Sequence, residues 1–225
     1  MGWSKKPWTA QNAAENVVLR PERLEIPLHW KKPKRVFVDS MSDLFHEQVT
    51  DYFILNVFGV MERSQRHVFQ VLTKRPQRML EWVNDYDHWL RYSTGSGFAD
   101  FHPNVWLGVS VENQRAADER IPLLLQTPTA MRFVSCEPLL GEVDISLFLH
   151  AWHSTSYDTP PIDWVICGGE SGANYRPMDL AWLLFIVEQC KAAGVPIFVK
   201  QDSGRYPGKQ GRIPDELWKL KEYPS

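Results

Sequence analysis

A chain of 225 residues with 44% hydrophobic and 12% aromatic content can bury a substantial core without disulfide help. Its formal charge of −2 excludes a protein that coats nucleic acid through bulk charge, so any such contact has to be a local patch. No apolar stretch approaches membrane-spanning length and no charged-then-apolar leader opens the chain, so we expect a soluble cytoplasmic protein without a membrane partner.

Residues up to Arg35 include Lys5, Lys6, Arg20, Arg23, Lys31, Lys32, Lys34 and Arg35, a basic arm that reads either as solvated surface or as a nucleic-acid contact. Then come six short runs of β-branched and aromatic residues, each ending abruptly in polar, ionisable or glycine residues. They are VFVDSMSD (Val36 to Asp43), VFQVLTKR (Val68 to Arg75), VWLGVSVEN (Val105 to Asn113), RFVSCEP (Arg132 to Pro138), WVICGGESG (Trp164 to Gly172) and IFVKQD (Ile197 to Asp202). Continuous apolar runs of this length suit strands buried on both faces, and starts roughly 27 to 37 residues apart match the length of a βα unit.

The segments between the runs carry helical signals. Thr50 is a cap for a stripe of Phe53, Ile54, Val57, Phe58 and Met61. Pro76 suits a first helical position before Met79, Leu80, Val83 and Trp89, and Pro177 the same position before Leu180, Leu183, Leu184, Val187 and Cys190, with Gly194 as the stop. Ala116 to Gln126 is helical in character, with Pro122 expected to shorten or kink it. The connection from Gly141 to Pro161 contains DISLFLHAW and then HSTSYDTPP, a loop. The expected fold class is α/β, a (β/α) barrel of parallel strands with crossover helices, closed or open, in one domain. It divides into the arm (1–35), the barrel core (36–202) and a C-terminal loop with a short helix (203–225). An open barrel leaves a parallel edge exposed, which points to a homodimer.

In such folds function collects where the strands end. The first tip offers Asp39, Ser40, Ser42, Asp43 and His46; Asp39, Asp43 and His46 make a set suited to a divalent metal or to acid/base work, with helix capping by Asp43 and a surface histidine as the competing reading. The second places Thr73, Lys74 and Arg75 at a helix N-terminus, where backbone N–H groups and fixed positive charge suit a phosphate or carboxylate. The third and fourth end in Ser110, Glu112, Asn113 and Glu137; carboxylates directly after buried strands mark a site or an ion pair. The fifth ends in Gly168, Gly169, Glu170 and Ser171, with Arg176 following. There, missing side chains let a ligand approach the backbone while Glu170 accepts from an amine or ribose hydroxyls. Lys200 and Gln201 complete the ring, and the lysine serves a substrate or neutralises a carboxylate. A second basic patch, Arg205, Lys209 and Arg212, lies in a glycine-rich loop. Cys136, Cys167 and Cys190 have no metal or redox spacing and read as buried small hydrophobes. Of the ten tryptophans, we expect most to pack helices against the sheet and some to line a groove or contact surface.

Together RPERLEIPLHWKKPKRVFVDSMSDLFHE, FQVLTKRPQRM, NVWLGVSVENQ, RFVSCEPLLG, DWVICGGESG and GVPIFVKQ resemble a family, the phage and prophage proteins of the gp thirty-seven and gp sixty-eight type, over about Leu19 to Gln201. The resemblance implies a radical-SAM-type (β/α) barrel of undetermined substrate. Such proteins usually begin with a compact three-cysteine motif, which in radical-SAM enzymes holds an iron–sulfur cluster that cleaves S-adenosylmethionine. This chain departs from that pattern: MGWSKKPWTAQNAAENVV contains no cysteine. Its Gly168 to Glu170 follow a late strand rather than the early one after which radical-SAM proteins carry a GGE motif. The expectation is a cleft for a small anionic ligand, S-adenosylmethionine-like or nucleotide-like, without an iron–sulfur cluster of the chain's own. A non-catalytic nucleic-acid or protein-binding module and a metal-dependent hydrolase remain as alternatives.

Overall fold

The computed structural model describes residues 6, 12–38, 42–149 and 162–224. A short helix α1 (Ala13–Asn16) and two 3-10 turns (Pro21–Arg23 and Ile26–His29) lead into β1 (Arg35–Val38). The alternation then runs α2 (Asp51–Arg63), β2 (Val68–Thr73), α3 (Pro76–Thr94), α4 (Phe98–Phe101), β3 (Val105–Ser110), α5 (Gln114–Gln126) and β4 (Met131–Cys136). It closes with α6 (Ser146–Leu149), β5 (Trp164–Cys167), α7 (Leu180–Ala193), β6 (Ile197–Val199) and α8 (Asp215–Trp218).

The six strands pair in chain order and all in parallel. With no reversal of order, the usual right-handed crossover puts the connecting helices on one face, and the sheet curls into an open half-barrel. Alternation of side chains along each strand then gives two cores. On the convex face Val71, Leu107, Val109, Val134, Val165 and Val199 pack against α2, α3, α5 and α7. On the concave face Trp106, Phe133, Trp164 and Ile166 form a second cluster, flanked by the half-buried Phe37, Leu72, Met131 and Phe198. The Phe133 ring lies over Gly108 of the adjacent strand, where an added Cβ would sit 2.6 Å from ring carbons. Phe37 meets Phe133 edge-on across the concavity, at 6.5 Å.

Beyond α8 the chain forms a strap. Leu220 and Glu222 hydrogen-bond to the free edge of β6 through Val199 N–H and Ile197 C=O (2.8 and 3.1 Å), and Trp164 Nε1 donates to Glu222 O at 3.0 Å. Tyr223 then packs at 5.3 Å from both Trp164 and Phe198, while the Arg35 guanidinium of β1 stacks 3.5 Å from its centre. One ring thereby links the first strand to the fifth and sixth at the strands' N-terminal end.

Most local expectations hold. Thr50 Oγ1 accepts from Phe53 N–H (3.3 Å), α3 begins at Pro76, and Gly194 ends α7 at φ 70°. Two differ. Pro177 precedes α7 instead of opening it, because the Asp179 carboxylate accepts from Ala181 N–H at 2.9 Å and fixes the start at Leu180. Helix α5 runs through Pro122 to Gln126, whose side-chain amide donates to Pro122 O at 2.8 Å. The HSTSYDTPP segment lies outside the described residues. Among the described residues no helix is long and apolar enough to cross a membrane.

Residues 27–34 of the basic arm sit at the end opposite the strand tips. His67 Nδ1 accepts from Lys34 N–H (3.1 Å), so its Nε2–H faces Pro27 O at 3.1 Å, and Arg66 donates to Leu28 O at 3.2 Å.

Candidate functional site at the strand ends

Parallel strands end together, so their C-terminal tips surround one mouth. Asp43 stitches the first tip to the second. Its carboxylate accepts from Phe45 N–H (3.0 Å), Thr73 Oγ1 (2.7 Å), Lys74 N–H (3.1 Å) and Arg75 Nη1 (3.0 Å). A carboxylate so fully engaged is an organiser of the loop. His46 directs Nδ1 to Gln48 N–H at 3.2 Å, and burial followed by the Arg75 charge lowers its pKa. Ser42 is exposed beside them, and Asp39 lies outside the described residues. No group of three or more His, Cys, Asp or Glu among the described residues is arranged to hold a metal ion.

The second, third and fifth tips share one charge cluster. Lys74 pairs with Glu112 Oε1, while Arg120 reaches Glu112 Oε2 at 2.9 Å and Ser110 O at 2.7 Å. Burial pushes the Glu112 carboxyl up, but Lys74 and Arg120 outweigh it and hold it below its ordinary value. Glu170 is gripped by Arg176 through Nη2 to Oε1 (2.8 Å), Nε to Oε2 (2.9 Å) and the backbone N–H to Oε2 (2.7 Å). That grip, with Lys74 also contributing, brings Glu170 down to about 2. A carboxylate held there stays ionised near neutral pH and is a poor proton carrier; it fixes the guanidinium.

The remaining tips follow the same pattern. Lys200 Nζ lies 2.8 Å from Glu137 Oε2. Ser110 is buried and donates to Glu137 O at 3.3 Å, and Asn113 caps α5 by accepting from Ala116 N–H at 3.0 Å. Gly168 and Gly169 let the β5 and β6 tips meet: Gly169 N–H donates to Gln201 O (2.9 Å), Gln201 Nε2 returns to Gly169 O (2.9 Å), and a Cβ at Gly169 would lie 2.3 Å from Ser203 N. Ser171 forms a bridge to Gly204.

Four participants were not among the residues expected from sequence. Arg120 reaches Glu112 only because α5 folds back over the β3 tip. Asp202 and Arg212 form a pair with contacts at 2.7, 2.8 and 2.9 Å, although Asp202 ends the sixth run and Arg212 was visible as part of a basic patch. Gln70, polar and inside a buried run with the parity of Val68 and Leu72, faces the concave interior. It is buried and its Nε2 has no hydrogen-bond partner. That position in VFQVLT was the available signal.

The family model described as Protein of unknown function (DUF5131) matches residues 2–216. The chain belongs to this family. No curated protein and no solved structure matches it. All six motifs that build the mouth lie inside the DUF5131 match. This DUF5131 chain does not fit an iron–sulfur cluster: Cys136, Cys167 and Cys190 are buried in the convex core, and burial pushes all three thiols up, Cys190 to about 12.

Proposed function

We propose that the mouth binds a small ligand with an anionic end, of nucleotide-like or S-adenosylmethionine-like chemistry. The observation that carries this reading is a set of cations fixed by carboxylates yet open to solvent: the side chains of Lys74, Arg176 and Lys200 are 53%, 61% and 44% exposed while Glu112, Glu170 and Glu137 hold them. Preordered donors of this kind lose little freedom when an anion arrives. Beneath them Phe37 and Leu72 offer half-buried apolar surface for a planar group, and the unpartnered Gln70 amide offers a donor. Lys74 and Arg176 take the anionic end in this reading. Glu112, Glu137 and Glu170 position the cations, and Asp43 with Thr73 and Arg75 sets the loop. The motif resemblance makes S-adenosylmethionine the first ligand to try.

The test is thermal unfolding with and without excess S-adenosylmethionine, ATP or AMP. Ligand at about a hundredfold over its dissociation constant adds about 2.7 kcal/mol, several degrees for a chain of this size. We expect a shift with at least one ligand, lost in Lys74→Ala and in Arg176→Ala. No shift with any of them overturns the reading.

A further inference from the structure

We propose that the rim formed by the loops after β5 and β6 is a contact surface for single-stranded nucleic acid, so that the ligand of the mouth is one nucleotide within a strand. This extends the preceding reading, but the rim stands on separate observations.

The two loops are built as one rigid unit. Gly204 N–H donates to Glu170 O and Gly172 N–H to Gly204 O, both at 3.0 Å, and Ser203 Oγ accepts from Met178 N–H at 2.8 Å. Two buried polar side chains staple the outer loop from below. Gln201 Oε1 accepts from Gly208 N–H at 2.8 Å, and Asp202 holds Arg212, which also donates to Met178 O at 2.8 Å. Gly208 and Gly211 take φ values of 71° and 56°, and at Gly211 a Cβ would lie 2.5 Å from the Asp202 carboxylate. Burial raises Asp202, but Arg212 outweighs it and keeps the carboxyl low, so the staple stays charged.

This framework displays groups that the fold itself does not use. Arg205 and Lys209 are exposed and have no carboxylate partner among the described residues, unlike the paired cations of the mouth. Tyr206 is 63% exposed with the Arg205 guanidinium over its ring at 5.8 Å, and Tyr175 is 42% exposed within electrostatic reach of Arg212. Planar faces interleaved with unpaired cations match a strand whose bases are free to stack and whose phosphates repeat alongside. A duplex hides its base faces, and an acidic peptide offers nothing for the tyrosines to stack on. The overall charge of −2 means that such binding has to be local, and the rim adjoins the mouth, whereas residues 27–34 of the basic arm lie at the other end.

The experiment is fluorescence anisotropy of a labelled oligothymidylate of about 12 nucleotides, with unlabelled duplex and polyglutamate as competitors. Binding of AMP and ATP is read in parallel by thermal shift. The variants are Arg205→Ala with Lys209→Ala, and Tyr175→Ala with Tyr206→Ala, all on exposed positions. We expect the oligonucleotide to bind, and affinity to fall roughly 20-fold between about 50 and about 200 mM salt if three phosphates are contacted. Each double variant should weaken it about tenfold or more with an unchanged melting midpoint and unchanged mononucleotide shifts. Absence of oligonucleotide binding, equal competition by duplex or polyglutamate, or binding that both variants leave intact overturns the proposal. Oligonucleotide binding through the rim without any mononucleotide shift upholds the rim and sinks only the mouth as a free-ligand site.

Discussion

His102 ties stability to pH, although it touches no solvent. It is fully buried among Phe58, Tyr86, Phe98 and Phe101 at 4.8 to 5.8 Å, and neither ring nitrogen has a partner. Burial lowers its pKa to about 4. The unfolded chain, with an ordinary histidine, binds the proton from about pH 6.5 downward while the folded chain resists it, so stability falls as pH drops from about 6.5 to about 4. The effect is of order 3 kcal/mol across that window. His102→Phe should flatten that part of a pH series of urea midpoints; an unchanged slope would mean another group sets it. Acid loss from Glu170 belongs to a lower window, down to about pH 2, because Arg176 holds its pKa there. Asn113 shows how position decides a role. Sequence placed it among ligand-binding candidates, whereas its side chain caps α5. Asn113→Ala should cost about 1 kcal/mol in denaturant unfolding.

At the level of elements, the β3–β4 pair depends on one missing side chain. Gly108→Ala places a methyl into the Phe133 ring, which overpacking data put at about 1 to 3 kcal/mol. Adding Phe133→Leu should recover part of that loss, and a double-mutant cycle with no coupling would contradict the contact. The strands themselves were legible in the sequence because a strand covered on both faces has to be apolar throughout, and all six runs became strands in order. Their lengths were not. β1 ends at Val38, while Asp43 at the end of the same run belongs to the mouth. The start of α7 was misplaced because proline signals only permission to begin a helix, whereas Asp179 supplies the hydrogen bond that fixes it. At the mouth, the carboxylates and cations were legible as chemistry at the strand tips. Their pairing was not, because Glu112 meets Lys74 and Arg120 only after three elements have converged.

For the whole molecule, sequential strand order divides the labour by direction. Helices cover the convex face, charge gathers at the C-terminal tips, and aromatic rings fill the concavity. Tyr223 secures the opposite end, and Tyr223→Ala removes its contacts with Trp164, Phe198 and Arg35, a loss of about 2 kcal/mol by typical aromatic and cation–π increments. Thermal unfolding of that variant, with ligand binding at the mouth unchanged, is the expected pair of results. The strap also imposes an order of events. Each strand can pair with its predecessor as it is made, yet the β6 edge and Trp164 stay uncovered until residues 220–223 arrive, and only then is Arg35 joined to the sixth strand. Chains stalled or clipped before Leu220 would carry a complete sheet and an open flank, which is the state that proteases and chaperones recognise. Residues 220–223 therefore also act as the latch that takes the folded sheet out of their reach.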